Sequence, residues 1–145
     1  MRTEKGFTLI EVIIAMALLA IVAVAILSGL STGSRAIFVA DERATAESIA
    51  RSQMEYVKKL SYTKAPNGGE AIYANAKISV PSGYEVKSIN RAGGEDVSTN
   101  IIGVPWDSAA SPPPVTTDAG LQRIKLVIYH HGKSLLTLED YKLNR

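Results

Sequence analysis

One carboxylate interrupts an otherwise apolar segment near the N-terminus. Glu11 is the only ionisable residue between positions 7 and 34, and residues 12–27 carry no charged or strongly polar side chain. An ionised acid inside a bilayer costs several kcal/mol, and such acids usually mark a functional contact. Glu11 is therefore a candidate for a charge pair. The alternative is an acid near the membrane surface that extends its carboxylate into water.

Other residue types that could do chemistry form weaker patterns. His130 and His131 are adjacent in a predicted turn, where a strand-like backbone would point their rings apart. Glu95, Asp96 and Asp107 could offer oxygen to Ca²⁺, but their spacing lacks an ordered loop motif. We therefore predict no metal site and no cofactor. The chain has no cysteine, no G-x-S-x-G elbow and no phosphate-binding loop, so the sequence favours a protein that is not an enzyme.

Composition limits both the size of the protein and its partners. The 145 residues allow one modest domain with an appendage, and the net charge of +2 is too small to indicate nucleic-acid binding by itself. A basic aromatic surface for single-stranded DNA would need Tyr73, Tyr84 and Trp106 beside Lys77 and Lys87. Three aromatic residues in a small domain more often belong to its core. Nucleic acid is thus an open partner that the sequence does not indicate.

The apolar segment is long enough to contact membrane lipid as a single span. Residues 7–28 would cross about 30 Å of hydrocarbon as a helix. Arg2 and Lys5 precede the segment and predict a cytoplasmic N-terminus and an extracytoplasmic C-terminus. A plain membrane anchor and a secretory signal peptide are the alternatives. The end of the run, from Leu27 to Ser31, contains no convincing signal-peptidase site.

The residues Lys5-Gly6-Phe7-Thr8-Leu9-Ile10-Glu11, followed by the apolar run, resemble the processing signature of type IV prepilins and pseudopilins. The resemblance implies that prepilin peptidase cleaves between Gly6 and Phe7 and that Phe7 is N-methylated. Gly6 has no Cβ, so the chain can lie close to a protease. Cleavage frees an amine at Phe7, four residues before Glu11, and a neighbouring subunit's amine is the natural partner of Glu11 in a filament.

The same resemblance implies the partners and the location. The partners are other pilin or pseudopilin subunits and the inner-membrane assembly platform. The protein would lie in the cytoplasmic membrane and then in a periplasmic or cell-surface filament. Ser28 stands where many major subunits have proline, which favours a minor subunit. A type IV pilus, a type II secretion pseudopilus and a competence filament all remain open, as does a membrane-anchored protein of a competence filament whose head captures DNA or a surface ligand.

The elements that would position these residues are a long helix and a small sheet. Between residues 34 and 60 an apolar stripe recurs at spacings of three or four, which predicts one helix from Phe7 to about Leu60. The stripe consists of Ala46, Ile49, Ala50, Met54, Val57 and Leu60. Strands are predicted at residues 77–80, 84–89, 121–129 and 133–142, with a loop at residues 103–120. The predicted fold class is α+β, with the helix on an antiparallel sheet.

These predictions divide the chain into three parts. Residues 1–6 form a leader peptide, and residues 7–34 form the transmembrane and assembly half of the helix. Residues 35–145 form an extracytoplasmic head, in which the amphipathic half of the helix covers the sheet.

Overall fold

The computed structural model of the protein describes residue 6, residues 8–106 and residues 117–145. The chain forms two compact units, Met1–Asp41 and Glu42–Arg145. The described part contains one α-helix and six strands. Their bounds are α1 Leu9–Lys59, β1 Ala71–Tyr73, β2 Tyr84–Ile89, β3 Glu95–Asp96, β4 Ile101–Pro105, β5 Leu121–His130 and β6 Lys133–Leu143. The predicted α+β class, with a long N-terminal helix and an antiparallel sheet, is confirmed.

The described part of the unit Met1–Asp41 consists mainly of an exposed length of α1. Its described large apolar side chains, from Leu9 to Val39, all lie open to solvent. The helix continues through Ser28, Gly29 and Gly33 without a break. Beside these glycines, the hydroxyl groups of Thr32 and Ser34 donate to main-chain oxygens four residues earlier, each at 3.0 Å. Such bonds satisfy hydroxyl groups that a membrane would otherwise leave without partners.

The unit Glu42–Arg145, which we call the head, is built around the last turns of α1. The buried positions of this helix are Ala46, Ile49, Ala50, Gln53, Met54 and Val57. Apart from the polar Gln53, these residues recur at spacings of three or four and make one apolar stripe, which covers the inner face of the sheet. The predicted stripe is confirmed, and Leu60, just after the helix, packs half-buried against the same core.

The sheet is centred on β5. On one edge β5 pairs with β4 and β2 and on the other with β6, all antiparallel. Its inward residues Ile124, Leu126 and Ile128 are fully buried, as the alternation in the sequence predicts. The β5–β6 hairpin turns at His131 and Gly132, with φ of 48° and 76°. Two left-handed residues in a row are the signature of a type I′ turn, which glycine tolerates well.

Residues 77–80 do not form the predicted strand. Their backbone is held by the fully buried side chain of Gln53, which accepts from the Ile78 N–H at 2.9 Å and donates to the Ala76 oxygen at 2.7 Å. A further bond joins the Lys77 N–H to the Thr99 oxygen at 3.2 Å. A helix side chain thus replaces a neighbouring strand as the partner of this segment.

The predicted loop at residues 103–120 was wrong at its start, because residues 103–105 belong to β4. Gly103 and Pro105 look like loop residues, yet all five positions of β4 are buried. A Cβ at Gly103 would lie 2.5 Å from Gln122 Oε1, so a larger residue there would displace the hydrogen-bonded side chain of Gln122. The short strands β1 and β3 were also missed. Residues 107–116, including Asp107, lie outside the described residues.

Candidate functional site

The start of α1 is capped by Thr8. Its main-chain oxygen accepts from the N–H groups of Glu11 at 3.1 Å and Val12 at 3.3 Å, and its hydroxyl oxygen accepts from the Glu11 N–H at 3.4 Å. Thr8 is therefore the N-cap, and Glu11 is the third helical residue. The pattern Thr-x-x-Glu is that of a capping box. This second role of Thr8 and Glu11 was visible in the sequence but was not predicted.

Glu11 lies in the first turn of the helix, exposed to its surroundings. The N-terminus of a helix carries a partial positive charge, which favours a carboxylate there. Among the described residues, no basic side chain lies within ion-pair distance of Glu11. The chain thus places the carboxylate at the helix start without a described cation of its own.

The predicted cleavage point is only partly described. Gly6 is exposed, and a Cβ added to it would meet no atom within 4 Å. Packing against the described residues therefore does not require glycine at this position. A requirement for glycine would have to come from a molecule that binds this segment. Phe7 lies outside the described residues.

The helix that follows is apolar enough to cross a membrane. An 18-residue window of α1 reaches a mean hydropathy of 3.0, and none of it is buried within the chain. Its residues are mainly aliphatic, which suits hydrocarbon or the apolar faces of other helices.

The two histidines of the head differ from the prediction. The two rings do not point in opposite directions, and their centroids lie 4.2 Å apart. The reason is that His131 has left-handed backbone geometry and ends the strand alternation. His130 also stacks on Tyr84 at 4.3 Å, and its Nδ1 lies 3.5 Å from Glu42 Oε1. Among the described residues, no group of three potential ligands is placed to hold a metal ion.

Of the five residues considered for DNA binding, Tyr84, Lys77 and Lys87 line one groove, whereas Tyr73 and Trp106 do not belong to it. Tyr73 is buried in the core, where its hydroxyl group donates to Gln122 Oε1 at 2.6 Å and burial raises its pKa to about 12. Trp106 instead lies 5.6 Å from Tyr141 in an edge-to-face contact. Lys87 lies 4.0 Å from the ring centre of Tyr129.

The acids considered for Ca²⁺ already have partners within the head. Glu95 accepts from Tyr129 and Lys87, and Asp96 accepts from the Ser98 N–H at 2.7 Å. The third, Asp107, lies outside the described residues.

A buried polar cluster around Asp118 was missed. Its carboxylate accepts from the Tyr62 hydroxyl at 2.5 Å, from the N–H groups of Ala65 and Gly120 at 2.9 Å each, and from Gln122 Nε2 at 2.6 Å. Burial alone would raise the pKa of this carboxyl, but these hydrogen bonds outweigh it and hold the pKa below its ordinary value. The sequence Thr-Thr-Asp-Ala-Gly gave the appearance of an ordinary loop.

The C-terminal end of α1 is capped by Lys142 of β6. Its Nζ donates to the main-chain oxygens of Val57 at 2.7 Å, Lys58 at 3.1 Å and Leu60 at 2.7 Å. The side chain is almost completely buried, and burial lowers its pKa. A cation at this end matches the partial negative charge of the helix dipole. No local sequence signal links residue 142 to a helix that ends at residue 59.

Comparison with known proteins yields one match. Residues 1–27 match the prokaryotic N-terminal methylation motif, which is the signature of type IV prepilins. No significant match to a curated protein or to a solved structure was found. The motif covers the candidate cleavage point, the capping residues and most of the apolar helix. Together with the long helix and the antiparallel sheet of the head, the motif supports a type IV pilin-like protein.

Proposed function

We propose that this protein is a structural subunit of a type IV pilus-like filament. The observation that carries the proposal is the coincidence of the methylation motif with an exposed, membrane-grade helix that begins two residues after Phe7. Such a helix needs either lipid or other helices around it, and a filament supplies the second after the membrane has supplied the first.

Prepilin peptidase cleaves between Gly6 and Phe7, and the new N-terminus is methylated. The exposure of Gly6 supports this step, because the bond must enter the active site of another protein. The basic residues Arg2 and Lys5 keep the leader on the cytoplasmic side, so the head is extracytoplasmic. Lipid holds the subunit in the inner membrane until an assembly platform transfers it into the filament.

Glu11 then pairs with the Phe7 amine of a neighbouring subunit. The two opposite charges neutralise each other in the low dielectric of packed helices. Support comes from the position of the carboxylate, which is exposed at the helix start and has no described cation nearby. Each subunit would thereby offer one amine and accept another.

We assign the protein to the minor rather than the major subunits. Major subunits often have a helix-loosening proline at the place of Ser28, whereas α1 here is continuous through Ser28 and Gly29. A minor subunit of a pilus or of a type II secretion pseudopilus fits this feature equally.

The test is the intact mass of the full chain coexpressed with an active prepilin peptidase. We expect loss of residues 1–6 and addition of one methyl group at Phe7. Gly6→Val should block cleavage, because a branched side chain would meet the protease. Gly29→Val, an equally uncrowded glycine of the same chain, should be cleaved as the parent is.

Two results would contradict the proposal. A mature chain that begins beyond Leu27 would establish cleavage by signal peptidase instead. A chain that stays uncleaved by a peptidase that cleaves a known prepilin would instead indicate a plain membrane anchor. If cleavage occurs, immunoblotting of sheared filaments then asks whether the subunit is incorporated.

A further inference from the structure

The connection between α1 and β1 contains the only asparagine of the chain that is followed by glycine. The main-chain oxygen of Pro66 accepts from the Gly69 N–H at 2.8 Å, which closes a turn with Asn67 and Gly68 at its centre. Gly68 has a φ of 72°, in the left-handed region that glycine occupies without strain. Both central residues are exposed, so water and hydroxide can reach them.

An asparagine side chain can react with the main-chain nitrogen of the next residue. Hydroxide removes the proton from this nitrogen, which then attacks Cγ of the asparagine and forms a C–N bond. The departing amide nitrogen takes a proton from water and leaves as ammonia, and a five-membered succinimide remains. Water opens the succinimide at either carbonyl group and gives aspartate or isoaspartate. Water and hydroxide are therefore the only co-reactants.

Both reacting groups are free in this turn. Among the described residues, neither the side chain of Asn67 nor the N–H of Gly68 has a hydrogen-bond partner. Gly68 has no Cβ, and a Cβ built there would meet no atom within 4 Å. Nothing therefore crowds the approach of the Gly68 nitrogen to Cγ of Asn67.

The other asparagines of the chain are less able to react. Each precedes a larger residue, as the pairs Asn75-Ala76, Asn90-Arg91, Asn100-Ile101 and Asn144-Arg145 show. Three of their side chains are also held by hydrogen bonds. Asn75 Oδ1 accepts from the Thr99 hydroxyl at 2.8 Å, Asn90 Oδ1 from the Gly94 N–H at 2.7 Å, and Asn100 Oδ1 from the Asn75 N–H at 3.2 Å. The head thus favours reaction at Asn67.

Arg91, just after β2, attaches the turn to the sheet. Its guanidinium donates to the main-chain oxygens of Gly68 at 2.9 Å and Gly69 at 3.0 Å. An isoaspartate at residue 67 adds a carbon to the main chain immediately before Gly68, which moves both oxygens relative to Arg91. It also adds a carboxylate one residue away from them. The modification would therefore change how the connection from α1 is attached to the sheet.

We propose that Asn67 is a site of spontaneous deamidation and isomerisation in this protein. The side-chain amide of Asn67 is the substrate, and the main-chain nitrogen of Gly68 is the nucleophile. The modified head carries an additional negative charge and, in its isoaspartate form, a longer turn between α1 and β1. The site belongs wholly to the head, so the proposal does not depend on cleavage at Gly6.

The test is incubation of the full chain in detergent micelles at mildly alkaline pH, followed by peptide mass spectrometry. We expect the peptide that contains residue 67 to convert to aspartate and isoaspartate, the latter identified with an isoaspartyl methyltransferase. Peptides that contain Asn75, Asn90 or Asn100 should stay unchanged over the same period. Hydroxylamine, which attacks a succinimide, should cut the folded chain between residues 67 and 68.

Two glycine variants test the role of the attacking residue. Gly68→Ala should slow the conversion about tenfold or more, because its methyl group crowds the attack, and tenfold corresponds to about 1.4 kcal/mol in the barrier. The slowing should persist in urea, where the strain of alanine at a positive φ plays no part. Gly93→Ala changes another uncrowded glycine, with a φ of 85°, and Asn67 should then convert as in the parent.

Two results would overturn the proposal. The first is conversion of Asn75, Asn90 or Asn100 in the folded chain as fast as that of Asn67. The second is an Asn67 that stays intact in the folded chain while the chain unfolded in urea converts, because the turn would then protect this residue instead of exposing it.

Discussion

Glu11 has two roles that different substitutions can separate. As the third residue of a helix capped by Thr8, it stabilises the helix start, a role that glutamine also fills in capping boxes. As the partner of a neighbouring amine it must be charged, which glutamine is not. Glu11→Gln therefore removes the charge but retains a side chain that can accept at the helix start, whereas Glu11→Val removes both. The bonds from the main-chain N–H of residue 11 to Thr8 remain in either variant.

We expect Glu11→Val and Glu11→Gln to be expressed, inserted and cleaved normally but to enter filaments poorly. In the membrane alone, an apolar residue at this position improves the anchor, because the cost of a buried carboxylate disappears. In the filament the neighbouring amine loses its counter-charge, which is costly in low dielectric. Quantitative immunoblots of sheared filaments, normalised to the membrane pool, measure the effect.

The comparison between the two variants gives the decisive result. Similar losses for both substitutions would assign the defect to the charge, and a loss for Glu11→Val alone would assign it to the helix start. Normal incorporation of both stable variants would reject the charge pair and leave Glu11 as an acid at the membrane surface.

Lys142 is the residue whose loss should most disturb the end of α1. Lys142→Met retains much of the side-chain volume but leaves the oxygens of Val57, Lys58 and Leu60 without their donor. We expect the free energy of unfolding of the head to fall by about 1–3 kcal/mol, the usual cost of leaving buried polar groups unpaired. Chemical denaturation measures it, and Lys133→Met, at an exposed position of the same strand, should change stability little.

At the scale of elements, the connection from α1 to the sheet depends on Asp118. This one carboxylate holds Tyr62 and Ala65 of the connection and Gln122 of β5. Gln122 Nε2 also donates to the Thr63 oxygen at 2.8 Å. The segment after the helix thus has few regular backbone bonds and is fixed by a polar cluster instead, which makes its position sensitive to the charge of Asp118.

This cluster should make the head sensitive to acid. The pKa of Asp118 is lower in the folded head than in the unfolded chain, where aspartate titrates near 4. The unfolded chain therefore takes up the proton first, and stability falls as the pH drops from about 4 through the folded pKa. Denaturation curves between pH 7 and pH 2 should show this loss.

Asp118→Asn should be less stable than the parent head at pH 7, by about 1–3 kcal/mol for lost charged hydrogen bonds. The difference in the free energy of unfolding between this variant and the parent should narrow toward pH 2, where the carboxyl group of the parent is protonated and uncharged. Glu47→Gln, at an exposed helix position of the head, should follow the parent curve throughout. A constant difference at all pH values would show that Asp118 acts by shape and not by charge.

Elements with regular patterns were predictable, and those fixed by long-range side-chain bonds were not. The apolar stripe of α1 and the alternation of Ile124, Leu126 and Ile128 follow directly from helix and strand geometry. Residues 77–80 have a strand-like composition, but Gln53 takes over their backbone bonds from 23 to 25 residues away. β4 is the reverse case, because its glycine lies against a side chain of β5.

At the scale of the whole molecule, the head should fold without the apolar half of the helix. We expect a fragment beginning at Arg35 to be soluble and monomeric, since the buried stripe starts only at Ala46 and the core lies within residues 46–138. Cooperative thermal unfolding would support this. A flat melt with strong binding of a hydrophobic dye would mean that the head needs neighbouring subunits or the membrane.

The N-terminal methylation motif was readable from the sequence, whereas the long-range contacts of the head were not. Gly6, Phe7 and Glu11 belong to a local motif, and a local motif can be recognised without knowledge of the fold. The bond from Ala65 to Asp118 and the Lys142 cap of α1 join residues 53 and 85 positions apart. Neither leaves a signal in the order of the residues.

The hydrogen bonds between Lys142 and the end of α1 also determine when, during synthesis, the head can finish folding. Lys142 is made 82 residues after Leu60, so at about 5–20 residues per second of synthesis the helix end waits roughly 4–16 s for its donor. During that interval the oxygens of Lys58 and Leu60 rely on water, and the final turn is free to fray. The head can thus complete its fold only after Lys142 has been made, and a ribosome that stalls in β5 would present an unfinished helix end to proteases.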